Sequence, residues 1–450
     1  MINRNAVLAD LVARATGLCE AGFSTEVMHA AKRVFLDWLA ALYPGTQIAP
    51  ATLLRQAWHD EIGYGRSRLP GVQNTAFAAT AAWINGSASH AVELDDIFKD
   101  GLYHPGCPVI AAALAAGDQV QSSGVNFLHG IILGYEVSTR IAAAIQPAHY
   151  RYFHTTGTVG CIGAASAAAA VLAPGNAQVA LHAAATATSF ASGLQQAFRS
   201  DAMTKALHAG HAAAVGVRAA QAAAQGVTGV ADILDGPVGF GAALAESPDW
   251  SGIAEDLGEK FNITHMTHKV HACCGHTFAA IDAVLQLRGT HGLRAEEISR
   301  IEVYTYGVAL EVVGNAEPVS DFEAKFSLPY VVCHALIEGG VDPTSFTPEK
   351  LADPEVRALM ARVVLHEDHD LSAGFPQRRA ARVHITRHDG TVLEHFSPHR
   401  KGDPEDPLSD ADLDQKFLRL TSAVMGDKAA QALRDQVWDL DKLDLGDLIL

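Results

Sequence analysis

Residues 24–45 read STEVMHAAKRVFLDWLAALYPG, and helical stretches of this kind decide the fold. Apolar residues recur at spacings of three and four, which is the period of one face of an α-helix. Ser24 is a suitable N-cap, and Pro44 with Gly45 is expected to stop the helix. The residues of the predicted buried stripe are Val27, Ala30, Ala31, Val34, Phe35, Trp38 and Leu39.

Helical patterns continue as far as about residue 265, separated by Gly and Pro. Alanine supplies much of their apolar content. It has the best helix propensity and lets helix axes approach closely, so packed helices are favoured over a β-sandwich. The further predicted helical segments are NTAFAATAAWINGSASHAVELDD, NFLHGIILGYEVSTRIAAAI, GTVGCIGAASAAAAVLA, NAQVALHAAATATSFASGL and ALHAGHAAAVGVRAAQAAAQG.

Between about residues 296 and 400 the pattern changes to the period of two that is typical of strands. ISRIEVYTYGV alternates, with Ile301, Val303 and Thr305 on one predicted face and Glu302, Tyr304 and Tyr306 on the other. ARVHITRHDGTVLEHF is predicted to form a hairpin that turns at Asp389-Gly390. Helical patterns flank these strands in AKFSLPYVVCHALIEGG and TPEKLADPEVRALMARV, so we predict a smaller α+β domain.

After this region the chain returns to helix. Ser409 can cap a helix that has Asp412 at its third position. We expect this last segment to pack back onto the first domain.

The composition excludes several kinds of partner. The 33 basic and 50 acidic residues give a formal net charge of −17, which argues against nucleic acid or an anionic membrane. An anionic ligand would therefore need positive charge supplied locally. Six cysteines in 450 residues suit a reducing cytosol better than a disulfide framework.

No membrane or export segment is expected. No apolar run is expected to reach the roughly 18 to 20 residues of a membrane span. The first residues also lack the order of a secretion signal, so we expect a cytoplasmic protein.

Three carboxylates lie close together in SHAVELDDIFKDGLYHPG, residues 89–106. Glu93, Asp95 and Asp96 fall within four positions, and the stretch ends on His104-Pro105. A solvated acidic turn is the simplest explanation. Carboxylates this close repel one another, however, and repulsion raises a pKa unless a cation or a donor is near. The stretch is therefore a candidate site.

Two other stretches offer groups that such a site needs. His154 precedes a predicted helix start, where free backbone amides can bind a substrate carboxylate. Lys205, His208 and His211 open another helix, whose remaining residues are nearly all small. Capping threonines and a surface lysine are the simpler explanations.

Residues 265–276 contain four histidines, Lys269 and two adjacent cysteines. A zinc site is disfavoured, because the cysteines lack the two-residue gap of paired zinc ligands and no second ligand pair occurs elsewhere. A catalytic segment with Lys269 is the better interpretation. The usual signatures of nucleotide binding, dinucleotide binding and serine hydrolysis are absent.

Six segments, in this order, resemble the MmgE/PrpD family, which includes 2-methylcitrate dehydratase, cis-aconitate decarboxylase and iminodisuccinate epimerase. HAVELDDIFKDGLYHPGCPVIAAALA is similar to the family's His-Ala-x-x-x-Asp-Asp block ending in His-Pro. The blocks that follow are GYEVSTRIAAAI with FHTTGTVGCIGAA, then MTKALHAGHAA, KVHACCGHTFAAID, AKFSLPY and KGDPEDPLS. The resemblance spans nearly the whole chain.

The resemblance implies a large all-helical domain of residues 1–265 and 402–450, with a smaller α+β lid of residues 266–401 inserted between them. It also implies a homodimer and an active site at the domain junction, without metal or cofactor. The catalytic candidates that it implies are His104, His154, Lys205, Lys269, Asp95 and Asp96. The substrate-binding candidates are Glu93, His271, His276, Tyr330 and Lys325.

Two residues depart from the family pattern. Ile97 stands where members often have Thr, and Gly275 stands where they often have Arg. The missing hydroxyl and guanidinium suggest a substrate other than 2-methylcitrate.

The predicted function is that of a lyase acting on a small polycarboxylate through a carbanion-like intermediate next to a carboxylate. Lys205 and Lys269 would hold substrate carboxylates, His104 and His154 would transfer protons, and Asp95 or Asp96 would orient one histidine.

Several alternatives remain open. A hydro-lyase like 2-methylcitrate dehydratase is placed first. A cis-aconitate-type decarboxylase and an epimerase of an amino- or imino-dicarboxylate are the alternatives within the family. A non-catalytic polycarboxylate-binding protein and a zinc enzyme are the alternatives from other classes.

Overall fold

The computed structural model describes residues 6–198, 202–375 and 377–450, and its helices and strands fall into two units. The first unit consists of the described residues up to His268 together with Ser409–Leu450, and the second is Lys269–Leu408. The first is built of helices and one small hairpin, whereas the second combines helices with a four-stranded sheet. This confirms the predicted fold class, mainly α with a smaller α+β part.

Helices dominate the first unit. In the described chain before residue 268 they are α1 (Val7–Ala21), α2 (Thr25–Thr46), α3 (Ala51–Ala57), α4 (Ala78–Ala91), α5 (Gly106–Val120), α6 (Gly124–Ala144), α7 (Thr155–Thr158), α8 (Gly160–Leu172), α9 (Ala177–Thr188), α10 (Thr204–Ala224) and α11 (Phe240–Leu244).

A two-stranded hairpin interrupts these helices. Strands β1 (Ile62–Leu69) and β2 (Asn74–Ala76) pair antiparallel between α3 and α4. The prediction of helical structure throughout the region up to residue 265 is therefore wrong here. Gly63 and Gly65 in β1 have φ values of 86° and 80°, a backbone conformation that a right-handed helix cannot contain.

Helix α2 confirms most of what its sequence predicts. The Ser24 hydroxyl accepts a hydrogen bond from the backbone N–H of Val27, and every residue of the predicted stripe is buried. The helix continues through Pro44 and ends at Thr46, so the predicted stop is too early. The φ of proline suits a helix, and because Pro44 lies near the end of α2, its missing N–H and the crowding by its ring affect only the last turns.

Helix α10 packs closely against α4 and α8. A Cβ atom on Gly210 would lie 2.2 Å from Oγ of Ser87 and 2.3 Å from the carbonyl oxygen of Trp83 on α4. A Cβ on Gly216 would lie 2.6 Å from the backbone of Ala164 on α8. Glycine at these two positions therefore permits the close approach of three helices that bring candidate site residues together.

One helical stretch has the length of a membrane span. Helices α7 and α8 together form the 18-residue stretch Thr155–Leu172, with a mean hydropathy of 1.4, so the expectation that no apolar run is this long is wrong. The stretch is 89% buried inside the protein. A helix that is apolar on all sides is typical of a protein core as well as of a membrane.

The second unit has its own helices and strands. Its helices are α12 (Phe278–His291), α13 (Gly307–Val313), α14 (Asp321–Lys325), α15 (Leu328–Glu338), α16 (Pro348–Leu351), α17 (Pro354–Met360) and α18 (His369–Gly374). Its strands are β3 (Ile298–Thr305), β4 (Val363–Glu367), β5 (Ala381–Arg387) and β6 (Val392–Ser397). The sheet order is β4-β3-β5-β6, with β4 parallel to β3 and the other pairs antiparallel.

Most of this sheet follows the predicted pattern. Ile301, Val303 and Thr305 of β3 are buried on one face, as predicted. Tyr306, assigned to the opposite face, lies beyond the end of β3 and is itself buried. The hairpin of β5 and β6 is confirmed, with Gly390 at φ 84° in its turn. Strand β4 is not predicted, because its partly exposed residues do not alternate in burial.

The end of the chain adds α19 (Asp410–Met425) and α20 (Asp427–Trp438) to the first unit. The predicted cap is confirmed: Ser409 and Asp412 form a reciprocal capping box. Helix α19 packs against α2, so the last segment returns to the first unit as expected.

A buried ion pair joins α19 to α2. Nζ of Lys416 lies 2.6 Å from Oδ1 of Asp37, and it also donates to the carbonyl of Leu94 at 2.9 Å, in the loop that follows α4. Nδ1 of His268 lies 3.4 Å from the other Asp37 oxygen. Burial by itself would raise the pKa of Asp37, but the charges of Lys416 and His268 bring that pKa below its usual value.

We predict that Lys416→Met strongly destabilises the protein, because the substitution leaves a buried carboxylate unpaired. Loss of one partner of a buried pair typically costs about 3–5 kcal/mol. Urea unfolding at pH 7 measures the change in the free energy of unfolding. The matched control, Lys428→Met on the exposed surface of α20, should change it by less than about 0.5 kcal/mol. Equal losses in the two variants would contradict the assignment.

Candidate active site

The acidic loop occupies residues 92–105, between α4 and α5. Its middle is fixed by antiparallel backbone pairing of Ile97 with Thr267. Glu93 has φ 58°, in the left-handed region that is unfavourable for a residue with a side chain. The surrounding fold therefore holds this loop in a specific conformation.

Asp95 is the centre of a buried cluster of donors. Its Oδ2 lies 2.8 Å from Nδ1 of His90, 2.9 Å from Nδ1 of His104 and 3.3 Å from Sγ of Cys107. Asp95 is 1% exposed and the His90 side chain is fully buried, whereas the His104 side chain is 16% exposed. Because a carboxylate accepts, the His90 ring donates from its Nδ1, whereas Nδ1 of His104 faces the same oxygen at the distance of an ion pair.

His104 is also fixed through its backbone. Its N–H donates to Oγ1 of Thr156, at the start of α7, over 3.2 Å. The ring of His104 lies 5.1 Å from that of His90, edge to face. Backbone and side chain are thus held by two different elements, so the ring is well positioned.

Asp96 faces a different set of partners from Asp95. The hydroxyl of Tyr135 donates to its Oδ2 at 2.7 Å, and the N–H of Gly106 donates to its Oδ1 at 3.0 Å. Burial, with smaller contributions from Asp37 and Asp95, raises the pKa of Asp96 to about 7 despite these bonds. Of the two adjacent aspartates, Asp95 is the one in contact with histidines.

Glu93 pairs with Lys205, the second residue of α10. Both side chains are largely buried, and Nζ of Lys205 lies 5.4 Å from the ring centroid of Phe198. The pair places one positive charge beside the histidine cluster and neutralises it with a residue of the acidic loop.

His154 is the N-cap residue of α7 and is 1% exposed. Its ring stacks on that of His90 at 5.5 Å and meets the edge of Phe198 at 4.6 Å. Burial, followed by the charges of His90, His208 and Lys205, lowers the pKa of His154 well below its usual value. His154 is therefore neutral at pH 7.

The first unit thus brings together five residues that the sequence predicts for the site. They are Glu93, Asp95, His104, His154 and Lys205. Asp96 lies next to them in sequence but bonds to Tyr135.

Sequence reasoning missed His90, Cys107 and Tyr135. His90 has a signal, since it ends α4 and stands five residues before Asp95 in the family block. Cys107 and Tyr135 have none, because each is one apolar-looking residue in an otherwise apolar helix.

The remaining predicted residues belong to the second unit. Lys269, its first residue, is 1% exposed. Nε2 of His271 lies 2.9 Å from Oδ1 of Asp282. Nδ1 of His276 lies 2.7 Å from the hydroxyl of Tyr306, and burial with nearby Arg379 and Arg400 lowers its pKa to about 3.

Lys325 and Tyr330 share a neighbour in Phe346. Nζ of Lys325 lies 5.7 Å from the centroid of the Phe346 ring and 3.6 Å from Oδ2 of Asp321. The Tyr330 hydroxyl donates to the carbonyl of Ser345 at 2.5 Å, so this donor is engaged within the unit.

The run 265–276 does not form a zinc site within the described residues. His271 and His276 are bonded to Asp282 and Tyr306, while Sγ of Cys273 lies 3.2 Å from Oγ1 of Thr277. In the part of the chain that the structure describes, the group of potential metal donors is instead His90, Asp95 and Cys107, within 4.8 Å of one another.

That group is joined by hydrogen bonds. Burial, with the nearby Asp95 charge, raises the pKa of the Cys107 thiol well above its usual value, and the thiol donates to Asp95. The distances within the group are those of hydrogen bonds, and they fix the rings around Asp95.

This arrangement has the groups that acid–base chemistry on an anionic ligand requires. A lysine can bind a carboxylate, one histidine is oriented by a buried carboxylate, and a second histidine is held neutral.

Comparison with known proteins identifies the family. The MmgE/PrpD N-terminal domain matches residues 9–253, and the MmgE/PrpD C-terminal domain matches residues 271–442. The chain belongs to the MmgE/PrpD family, which confirms the resemblance read from its sequence blocks.

Three relatives illustrate the range of names in this family. Cis-aconitate decarboxylase of Homo sapiens is 28% identical over 452 residues, which cover 95% of this chain and 90% of the relative. Cis-aconitate decarboxylase of Aspergillus terreus is 22% identical over 466 residues, covering 98% and 94%. 2-Methylcitrate dehydratase of Cupriavidus necator is 28% identical over 127 residues, 26% of each chain. Both named reactions are those of lyases.

We predict that Asp96 makes stability depend on pH. The folded state retains a proton on Asp96 up to about pH 7, whereas the unfolded chain releases it near 3.8, so the free energy of unfolding falls as pH rises between these values. Asp96→Asn removes this dependence. Between pH 5 and 8 the wild type should lose about 2–3 kcal/mol more than the variant, measured by urea unfolding.

Asp10→Asn, an exposed substitution on α1, is the matched control and should show the wild-type pH dependence. Equal slopes for the wild type and Asp96→Asn would show that Asp96 ionises at a similar pH in both states.

Proposed function

We propose that this protein is a lyase that acts on a small polycarboxylate through a carbanion-like intermediate next to a carboxylate. The observation that carries the proposal is the buried Asp95 carboxylate, which fixes His90 and His104 beside neutral His154 and the cation of Lys205. Membership in the MmgE/PrpD family supports it.

Decarboxylation is the first candidate reaction. The relatives named for it align over nearly the whole chain, whereas the relative named for dehydration of 2-methylcitrate aligns over 127 residues. Dehydration is the second candidate, because it makes the same electrostatic demand on the site. The sequence alone placed dehydration before decarboxylation, so the comparisons reverse that order.

Both reactions develop negative charge on a carbon next to a carboxylate. Fixed positive charge at that position stabilises the transition state more than the ground state. Lys205 supplies one such charge. The Asp95 carboxylate, 2.9 Å from Nδ1 of His104, positions that ring beside the same site.

His154 is suited to proton transfer in its neutral form. Burial and four neighbouring cationic or titratable groups disfavour a positive charge on this ring. It can therefore give or accept a proton only if the ring gains or loses another proton at the same time.

Glu93 pairs with Lys205, and a substrate carboxylate would replace it. In the free protein the Glu93 carboxylate occupies the lysine, which avoids an uncompensated buried charge. A substrate carboxylate would compete for the same ammonium group. In a chain with net charge −17, this local exchange provides the positive charge that an anion needs.

The remaining expectations stay predictions. The resemblance implies substrate contacts for Lys269, His271, His276, Lys325 and Tyr330. We further propose a homodimer in the cytoplasm. The absence of a metal or cofactor requirement also stays a prediction of the resemblance.

We predict turnover of a tricarboxylate. The purified protein would be incubated with cis-aconitate, citrate, 2-methylcitrate or an amino-dicarboxylate in heavy water and followed by proton NMR. Decarboxylation should consume cis-aconitate and leave a five-carbon dicarboxylate with one deuterium on carbon, because the carbanion takes its proton from exchangeable groups.

Other results have distinct meanings. New vinyl signals from a hydroxy acid, without loss of carbon dioxide, would select dehydration. Deuterium exchange without any other change would select epimerisation. Binding of these acids with no chemical change would contradict the lyase proposal and favour a binding protein.

We predict that Asp95→Asn and His104→Gln each lower kcat by about 10²- to 10⁴-fold, the usual contribution of general acid–base catalysis. An amide removes the carboxylate charge that both histidine rings face. Steady-state kinetics on the acid found above would measure the change, with thermal unfolding to verify the fold.

His129→Gln is the matched control, since His129 is a half-buried histidine on α6 with its ring against Phe23. It should leave kcat within twofold of the wild type. Wild-type kcat in folded His104→Gln would remove His104 from the mechanism.

A further inference from the structure

We propose that His208 relays protons between the buried His154 and solvent during turnover. The proposal rests on the proposed function, because it gives His154 the partner that a neutral proton-transfer group needs. His208 acts through His154 and is a positioning and relay residue.

The two rings are directly hydrogen-bonded. Nδ1 of His154 lies 3.0 Å from Nδ1 of His208, with ring centroids 5.2 Å apart. Two neutral rings can form this bond only if one has its proton on Nδ1 and the other has its proton on Nε2. The pair thus has two interchangeable tautomeric states related by transfer of one proton.

The histidines of α10 are more exposed than His154. His154 is buried, His208 is half-buried, and His211, one turn further along α10, is also half-buried. Nδ1 of His211 lies 3.4 Å from Oγ of Ser192, which is exposed. The histidines of α10 therefore extend from the buried ring towards solvent.

Two glycines, Gly157 and Gly193, lie directly against His208. A Cβ on Gly157 would lie 3.2 Å from Cβ of His208 and 2.4 Å from the carbonyl oxygen of Ser192. A Cβ on Gly193 would lie 3.4 Å from Nδ1 of His208, and Gly193 has φ 139°. Two glycines thus allow the backbone to close over the His208 ring.

The electrostatic surroundings keep both rings neutral. Burial, with His90 from α4 and His211 and Lys205 from α10, lowers the pKa of His208 to about 4. His154 faces His90, His208, Lys205 and His104. A stepwise transfer would create an imidazolium or an imidazolate on His154, both costly in this setting, whereas a concerted relay creates neither.

The proton balance of the relay is as follows. The carbanion takes the Nε2 proton of His154 and forms a C–H bond, while Nδ1 of His154 takes the Nδ1 proton of His208. In the same step Nε2 of His208 takes one proton from solvent, so one solvent proton enters and both rings stay neutral. After product release, water returns a proton to Nε2 of His154 and the other transfers reverse. In a dehydration, the proton removed from the substrate carbon would pass through His154 and His208 to solvent by the same path.

The test uses His208→Ala and His208→Gln in the full-length protein. We expect kcat to fall by about 10²-fold in both, with little change in KM, because each lacks a ring with two exchangeable nitrogens. Imidazole added to His208→Ala should restore kcat in proportion to its concentration. His182→Ala, which removes another half-buried histidine on α9, should keep wild-type kcat and not respond to imidazole.

Three results would overturn the relay. One is wild-type kcat in His208→Ala, and another is loss of kcat in that folded variant without imidazole rescue. The third is wild-type kcat in His208→Gln, which would show that the residue only positions His154.

A measurement without substrate separates this proposal from the proposed function. If no acid is turned over, the lyase proposal fails on its own, and ¹⁵N NMR of the histidine side chains still tests the pair. We expect one ring of His154 and His208 to have its proton on Nδ1, and His208→Gln to change the signal of His154. Protons on Nε2 of both rings would overturn the relay.

Discussion

The candidate site depends on the contacts that the buried ammonium group of Lys416 makes with Asp37 and with the backbone of the acidic loop. The ammonium group donates to Asp37 on α2 and to the carbonyl of Leu94, the residue directly before Asp95. One cation from the end of the chain therefore joins two helices and fixes the backbone of the acidic loop. A buried charge of this kind is tolerated because a carboxylate and a carbonyl accept two of its three hydrogen bonds.

Three buried aspartates lie in this region, and each has a different environment. Asp37 has a lysine and a histidine and is stabilised as an anion. Asp95 accepts from His90 and Cys107, and its Oδ2 lies 2.9 Å from Nδ1 of His104. Asp96 has neutral donors in Tyr135 and the N–H of Gly106, and burial raises its pKa to about 7. The two adjacent aspartates of the acidic loop therefore have different partners. Asp95 faces histidines, whereas Asp96 bonds to Tyr135.

Much of the fold could be predicted from the sequence, because periodicity and caps are local signals. The cap at Ser24, the buried face of β3 and the capping box at Ser409 follow from a few neighbouring residues. The β1–β2 hairpin and β4 could not be predicted in this way. Strand β2 is short, and the residues of β4 do not alternate between buried and exposed. Family blocks indicated five residues that the first unit brings together. The contact of His90 with Asp95 and that of Tyr135 with Asp96 depend on how α4, α6 and the loop pack, which spacing alone does not reveal.

The position of Lys416 in the chain also affects the order of events during synthesis. The ribosome makes α2 and the acidic loop early and makes α19 only after the whole second unit. Until then Asp37 is without its lysine, and the carbonyl of Leu94 is without this donor. The amino-terminal helices can collapse as they emerge, but they reach their final arrangement only after translation has passed residue 416. The nascent first unit therefore lacks this buried ion pair until the chain is nearly complete.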